Sequence, residues 1–106
     1  MIEQMKNPKL LGLLGLASKA GKIVTGTESV TEKIKSGKPV YLVVIASDVS
    51  ENTYKKTVNC CEYYKVECIK LQFTRDEISH SVGKMCLVSS AAILDCNFAN
   101  AIKNLV

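Results

Sequence analysis

The chain of 106 residues has no tryptophan, a single histidine, two prolines and an aromatic share of 6%. With His80 as the one imidazole, and no motif around it, no serine or cysteine has the usual base beside it, so triad-type nucleophilic catalysis is not expected. The five cysteines (60, 61, 68, 86 and 96) form no C-x-x-C pair, which speaks against zinc, and their odd number speaks against a disulfide framework. Cys68 and Cys86 lie in apolar, strand-like runs and are read as small hydrophobes in a reducing compartment. Vicinal Cys60-Cys61 in a helix cannot easily meet disulfide geometry, which leaves a redox enzyme as the third-ranked reading. Walker motifs are missing, and Gly12-x-x-Gly15 lies inside a helical pattern without a preceding strand, so it is no dinucleotide fingerprint. No metal and no cofactor are expected.

Long apolar stretches are missing too. Nothing approaches the roughly 20 residues of a membrane span. Leu10 to Ala17 after Lys6 and Lys9 imitates a secretory signal only in outline, being short, diluted by Gly12 and Gly15, and followed by Lys19 in the supposed cleavage region. A cytoplasmic protein is expected. Without repeats, linkers or low-complexity tracts, residues 1–106 form one domain with one core.

What the chain does hold is a central strand. Val40, Leu42, Val43, Val44 and Ile45 make a nearly unbroken apolar run, too short for a typical helix and apolar on both faces, between Pro39 and the turn formers Ser47-Asp48. The strand should run from Val40 or Tyr41 to Ala46, covered on both sides by helices in an α/β architecture. Asn7-Pro8 opens a first helix, with Leu10, Leu13, Leu14 and Ala17 on one face and Gly21 as its stop. Lys22 to Thr25 is a short strand. Gly26 or Thr27 caps a second helix with Val30 and Ile34 inward, leaving at Ser36-Gly37. Ser50-Glu51-Asn52 starts a third, running to about Tyr64 with Tyr54, Val58 and Cys61 inward. Lys65 to Leu71 reads as a strand, and Thr74-x-x-Glu77 as a capping box for a helix from Arg75 to about Val82, ended by Gly83. Met85 to Ile93 reads as a last strand. Asp95 caps a final helix with Phe98, Ala101, Ile102 and Leu105 inward. The order is α-β-α-β-α-β-α-β-α.

Charge is unevenly spread along that order. The net +4 sits entirely in residues 1–38, where Lys6, Lys9, Lys19, Lys22, Lys33, Lys35 and Lys38 face Glu3, Glu28 and Glu32; the remainder is balanced. Such an excess suits a polyanion, and equally a solvated lysine surface. Polar groups cluster at three strand-to-helix junctions: Gly26-Thr27-Glu28, Ser47-Asp48 and Phe73-Thr74-Arg75. A helix start attracts phosphate but a carboxylate repels it, so Glu28 suits another role. As a double acceptor it can take both hydrogens from the Watson–Crick edge of guanine. The plainer reading of Glu28 is helix-dipole compensation.

Three segments carry a family likeness: Ala20 to Glu28 (AGKIVTGTE), Ile34 to Lys38 (IKSGK) and Leu42 to Asp48 (LVVIASD). Together with Cys61-Glu62, Val66, Ile78 to Lys84 and the closing strand and helix, the chain resembles the L-seven-Ae/L-thirty-e ribosomal protein family, in particular its small bacterial YlxQ-like branch. The resemblance implies a three-layer α/β/α sandwich with a mixed four-stranded sheet, and binding of RNA kink-turns or related internal loops. In the family a Gly-Asn-Glu tripeptide at the second helix contacts tandem sheared G·A pairs, a lysine three residues later assists, and a hydrophobic loop before the fourth helix covers a flipped-out nucleotide. Here Gly26 and Glu28 match, Thr27 replaces the asparagine, Thr31 replaces the lysine, and Phe73, Thr74 and Arg75 occupy the covering loop. Ser79 replaces a family glycine while Gly83 remains.

The resulting expectation is a non-catalytic RNA-binding protein. Its contact set is Lys22, Gly26, Thr27, Glu28, Thr31, Lys33, Lys35, Asp48, Phe73, Thr74, Arg75 and Lys84. The expected partner is structured RNA, a kink-turn or ribosomal RNA, with the ribosome as a possible host and neither membrane nor DNA involved. The rival is a protein–protein interaction module on the same scaffold with weak or lost RNA binding.

Overall fold

The computed structural model describes residues 8–105. Nine elements follow in strict alternation: α1 (Pro8–Lys19), β1 (Ile23–Thr25), α2 (Thr27–Lys35), β2 (Leu42–Ile45), α3 (Glu51–Tyr63), β3 (Cys68–Lys70), α4 (Arg75–Val82), β4 (Ser90–Ile93) and α5 (Cys96–Lys103). The expected capping by Asn7 falls outside the described residues; Pro8 opens α1 as its fixed φ favours. Ser50, Thr74 and Asp95 cap α3, α4 and α5 with their side chains, and Thr74 and Glu77 close the reciprocal capping box.

The sheet is mixed, in the order β1-β4-β2-β3. β2 and β3 run parallel, joined through α3, while β4 lies antiparallel to both β1 and β2. The run read as a central strand is an interior one, and all four of its residues are buried. Strand periodicity then sorts the two layers. Leu42, Val44, Ala91 and Ile93 pack with Leu10, Leu14, Ile78, Val82, Ala99 and Ile102, which places α1, α4 and α5 on one face. Val43, Ile45 and Ala92 pack with Val30, Ile34 and Cys61, placing α2 and α3 on the other. The architecture is the expected three-layer α/β/α sandwich.

Two strands are shorter than the apolar pattern suggests. Lys65 has φ 58 and serves as the left-handed residue that ends α3, so β3 begins only at Cys68. Residues 84–89 form a connection in which Met85, Cys86 and Leu87 are exposed; only Val88 turns into the core. The reading of Met85 to Ile93 as one strand is therefore wrong in its first half, and Cys86 is no buried hydrophobe. The pair Gly12 and Gly15 also separates by role. A Cβ on Gly15 would meet the Ser81 carbonyl oxygen at 2.9 Å, so this glycine lets α4 cross α1 closely, whereas nothing lies within 4 Å at Gly12. Hydrogen bonds from the Ser81 hydroxyl to the Leu11 carbonyl, and from Ser18 to the Val82 carbonyl at 3.0 Å, fix that crossing.

Candidate nucleic-acid interface

All three polar junctions meet at one end of the sheet. Antiparallel pairing sets the carboxyl ends of β1 and β2 beside the amino end of β4, with Thr25 opposite Ala91 and Ile45 opposite Ser90. Backbone bonds lock the connections there: Gly26 N–H donates to the Ser90 carbonyl at 2.9 Å, Ala46 N–H to Ser89 at 2.9 Å and Ser47 N–H to Phe73 at 2.8 Å. The start of α2, the 84–89 connection and the approach to α4 thus share one rim.

Gly26 is the N-cap of α2, with φ 92 and ψ 139, a conformation that L side chains rarely adopt. Thr27 is therefore the first helical residue. Its hydroxyl lies 2.9 Å from the Ser89 hydroxyl, tying the helix start to the 84–89 connection. Glu28 stands exposed in the first turn, and no side chain caps α2. That contrasts with α3, α4 and α5, whose first amides are met by their own cap residues.

The third junction is built differently. Thr74 N–H donates to Glu77 Oε1 at 2.9 Å, Glu77 N–H to Thr74 Oγ1 at 3.2 Å, and Arg75 N–H to Asp48 Oδ1 at 2.8 Å. Arg75 Nε sits 3.4 Å from the same oxygen. The Arg75 amide and then its guanidinium hold the Asp48 carboxyl below the usual carboxylate range. Glu77, Asp48 and Thr74 thereby accept the amides of Thr74, Arg75 and Glu77 at the start of α4. Phe73 is only 3% exposed and belongs to the core under α1 and α4, so its ring is not presented on the rim. The exposed apolar side chains on this rim come instead from the connection after α4: Met85, fully exposed, and Leu87 at 54% exposure, two residues before Ser89. Sequence reading passes over them because an apolar run of that length mimics a strand; the signal is the polar Ser89-Ser90 pair and Gly83-Lys84 bracketing it.

Thr31 does not face outward either. It is 7% exposed, and its hydroxyl lies 3.0 Å from both the Thr27 and Glu28 carbonyls of its own helix, to which it donates. The lysines are dispersed. The Lys22 carbonyl accepts from Leu94 N–H at the opposite end of β1, and Lys33 and Lys35, two positions apart near the C-terminus of α2, project to different sides. Lys84 is exposed just past α4, its carbonyl accepting the Ser79 hydroxyl at 2.9 Å. Among the described residues no group of three or more His, Cys, Asp or Glu side chains could hold a metal, and no helix is long and apolar enough to cross a membrane. All five cysteines are free; a hydrogen bond to Cys68 and burial push the Cys61 thiol up.

The fold and this rim define a three-layer α/β/α domain organised around one sheet end. The sequence profile of the Ribosomal protein L7Ae/L30e/S12e/Gadd45 family matches residues 8–103, and the chain belongs to that family. It is 40% identical over 98 residues to the RNA-binding protein YlxQ of Enterococcus faecium, an alignment covering 92% of this chain and 91% of that one. With the RNA-binding protein YlxQ of Bacillus subtilis (strain 168) it shares 38% over 94 residues, 89% and 91% of the two chains. A solved protein with unknown function from Bacillus halodurans C superposes with TM-score 0.83 at 30% identity, covering 93% of this chain and 97% of that one. The Giardia lamblia 15.5kD RNA binding protein superposes with TM-score 0.73 at 17% identity over 99% and 96%, a likeness of fold alone.

Proposed function

We propose that the protein is a non-catalytic binder of structured RNA, of the kink-turn type or a related ribosomal RNA loop, acting through the start of α2 and the 84–89 connection as two jaws of one site. The observation that carries this reading is the tie between the jaws: Thr27 to Ser89 through their hydroxyls, and Gly26 to Ser90 through the backbone, at 2.9 Å each. Family membership and the names of the YlxQ relatives support it. Glu28 accepts hydrogens from guanine edges in a sheared pair, and the uncapped first-turn amides of α2 donate to acceptors on the bases or backbone. Leu87, exposed where Phe73 is buried, offers an apolar face to an unstacked nucleotide. Assembly with the ribosome is the setting that suits such an RNA target.

The test is a titration of wild type, Glu28→Gln and Leu87→Ser against a kink-turn RNA and a copy whose G·A pairs are replaced by Watson–Crick pairs. Wild type should prefer the kink-turn. Glu28→Gln places a donor against donors and should cost about 1 to 3 kcal/mol of that binding. Equal binding of the two RNAs by wild type, with neither variant shifting the ratio, overturns base reading at this site.

A further inference from the structure

Away from the rim, a groove of about 470 Å³ lies between the C-terminal halves of α2 and α3, within the span of roughly 300 to 1,000 Å³ usual for small-ligand sites. Lys35 stands on its α2 wall, Lys56, Asn59 and Cys60 on its α3 wall, and Tyr63 and Tyr64 close its end. None of the described lining residues is acidic, and neither lysine takes part in an ion pair among the described residues. The two rings meet edge to face, with centroids 4.9 Å apart and planes at 72°. Tyr63 is 80% exposed and Tyr64 41%.

The backbone beneath these rings is fixed. Lys65 N–H donates to the Glu62 carbonyl at 3.2 Å and Val66 N–H to the Cys61 carbonyl at 2.8 Å, which is a Schellman closure with Lys65 as its left-handed residue. Two aromatic rings are thus held in water at a helix end beside two lysines that form no ion pair among the described residues. The ligand that satisfies both has a flat π face and a phosphate, which describes a single-stranded nucleotide. An acidic peptide would answer the lysines but leave the ring faces without a flat partner. The nine residues of α2 lead from the rim to this groove over about 13 Å, so one RNA can engage both.

We propose that the α2–α3 groove holds single-stranded nucleotides that flank the structured element, stacking a base on Tyr63 and setting phosphates against Lys35 and Lys56. The proposal rests on the RNA-binding reading above. It is tested with three RNAs: a blunt kink-turn, the same kink-turn with an extension of about six uridines, and the oligouridine alone. The extension should tighten wild-type binding about 5-fold or more, and the double variant Tyr63→Ala, Tyr64→Ala should lose that gain while binding the blunt RNA as wild type does. Lys56→Gln should lower the logarithmic salt slope of the extended RNA by about 0.7 and leave the blunt one unchanged. An extension without effect, or a gain that survives loss of both tyrosines, overturns the groove. So does displacement of oligouridine by polyglutamate at equal charge concentration, which would assign the groove to an acidic protein segment. If wild type fails to bind the blunt RNA, the rim reading has failed by itself. Oligouridine then still decides the groove: binding lost in the tyrosine variant upholds it, and no binding ends it.

Discussion

Ser90 shows how a single hydroxyl separates folding from recognition. It is fully buried at the amino end of β4, its carbonyl accepts the Gly26 amide, and its Oγ has no hydrogen-bond partner. An unmet buried hydroxyl costs about 1 to 3 kcal/mol, so its removal should relieve the chain. Ser90→Ala is expected to leave stability unchanged or raise it by about 1 kcal/mol in urea unfolding, with the Gly26 contact intact. A loss of more than about 1 kcal/mol would mean that Oγ is bonded in solution. Residues of this kind are illegible beforehand: nothing in the sequence distinguishes Ser90, without a partner, from Ser89, tied to Thr27. Thr31 misleads for a related reason. Its position matches a contacting lysine, but its neighbours Val30 and Ile34 turn that side of α2 inward, and the threonine follows them with its hydroxyl folded onto its own helix.

At the scale of elements, α4 depends on a carboxylate that lies 27 positions earlier in the chain. Asp48 caps the first turn from outside, adding to Thr74 and Glu77, and orients the Arg75 side chain. Asp48→Ala should destabilise by about 1 kcal/mol, the usual cost of losing a cap. The pH dependence has a fixed sign. Because the folded state holds this carboxyl below its unfolded value of about 4, the stabilisation is complete above that value and is lost as pH falls from it through the folded value. The gap in urea midpoint between wild type and Asp48→Ala should therefore narrow below about pH 4; a gap constant down to about pH 2 would assign the loss to something other than the charge. The capping box of α4 is legible because it is a local four-residue code. Asp48 stands out as a turn former and a candidate RNA contact but not as a cap of α4, since pairing across the sheet end leaves no mark in spacing.

Across the whole molecule the layers are readable from periodicity, since strands with both faces buried and helices with one apolar stripe admit few arrangements. The rim is readable only in part. Gly26, Thr27 and Glu28 stand where the family pattern places them, but the exposed apolar side chains of the rim lie in residues 84–89 and not in 73–75, because Phe73 is claimed by the core and an exposed apolar run reads like a strand. Hydrogen exchange distinguishes the two placements. In the free protein the first-turn amides of α2 have no side-chain cap and should exchange quickly, whereas the amides of Thr74, Arg75 and Glu77 are already accepted by Glu77, Asp48 and Thr74. Adding a kink-turn RNA should slow exchange at residues 27–29 and in the 84–89 connection together, since the Thr27–Ser89 tie joins the two segments. The 73–75 segment should change little. Protection centred on 73–75, with 84–89 unaffected, would return the covering role to the approach of α4 and leave Leu87 as an ordinary exposed side chain.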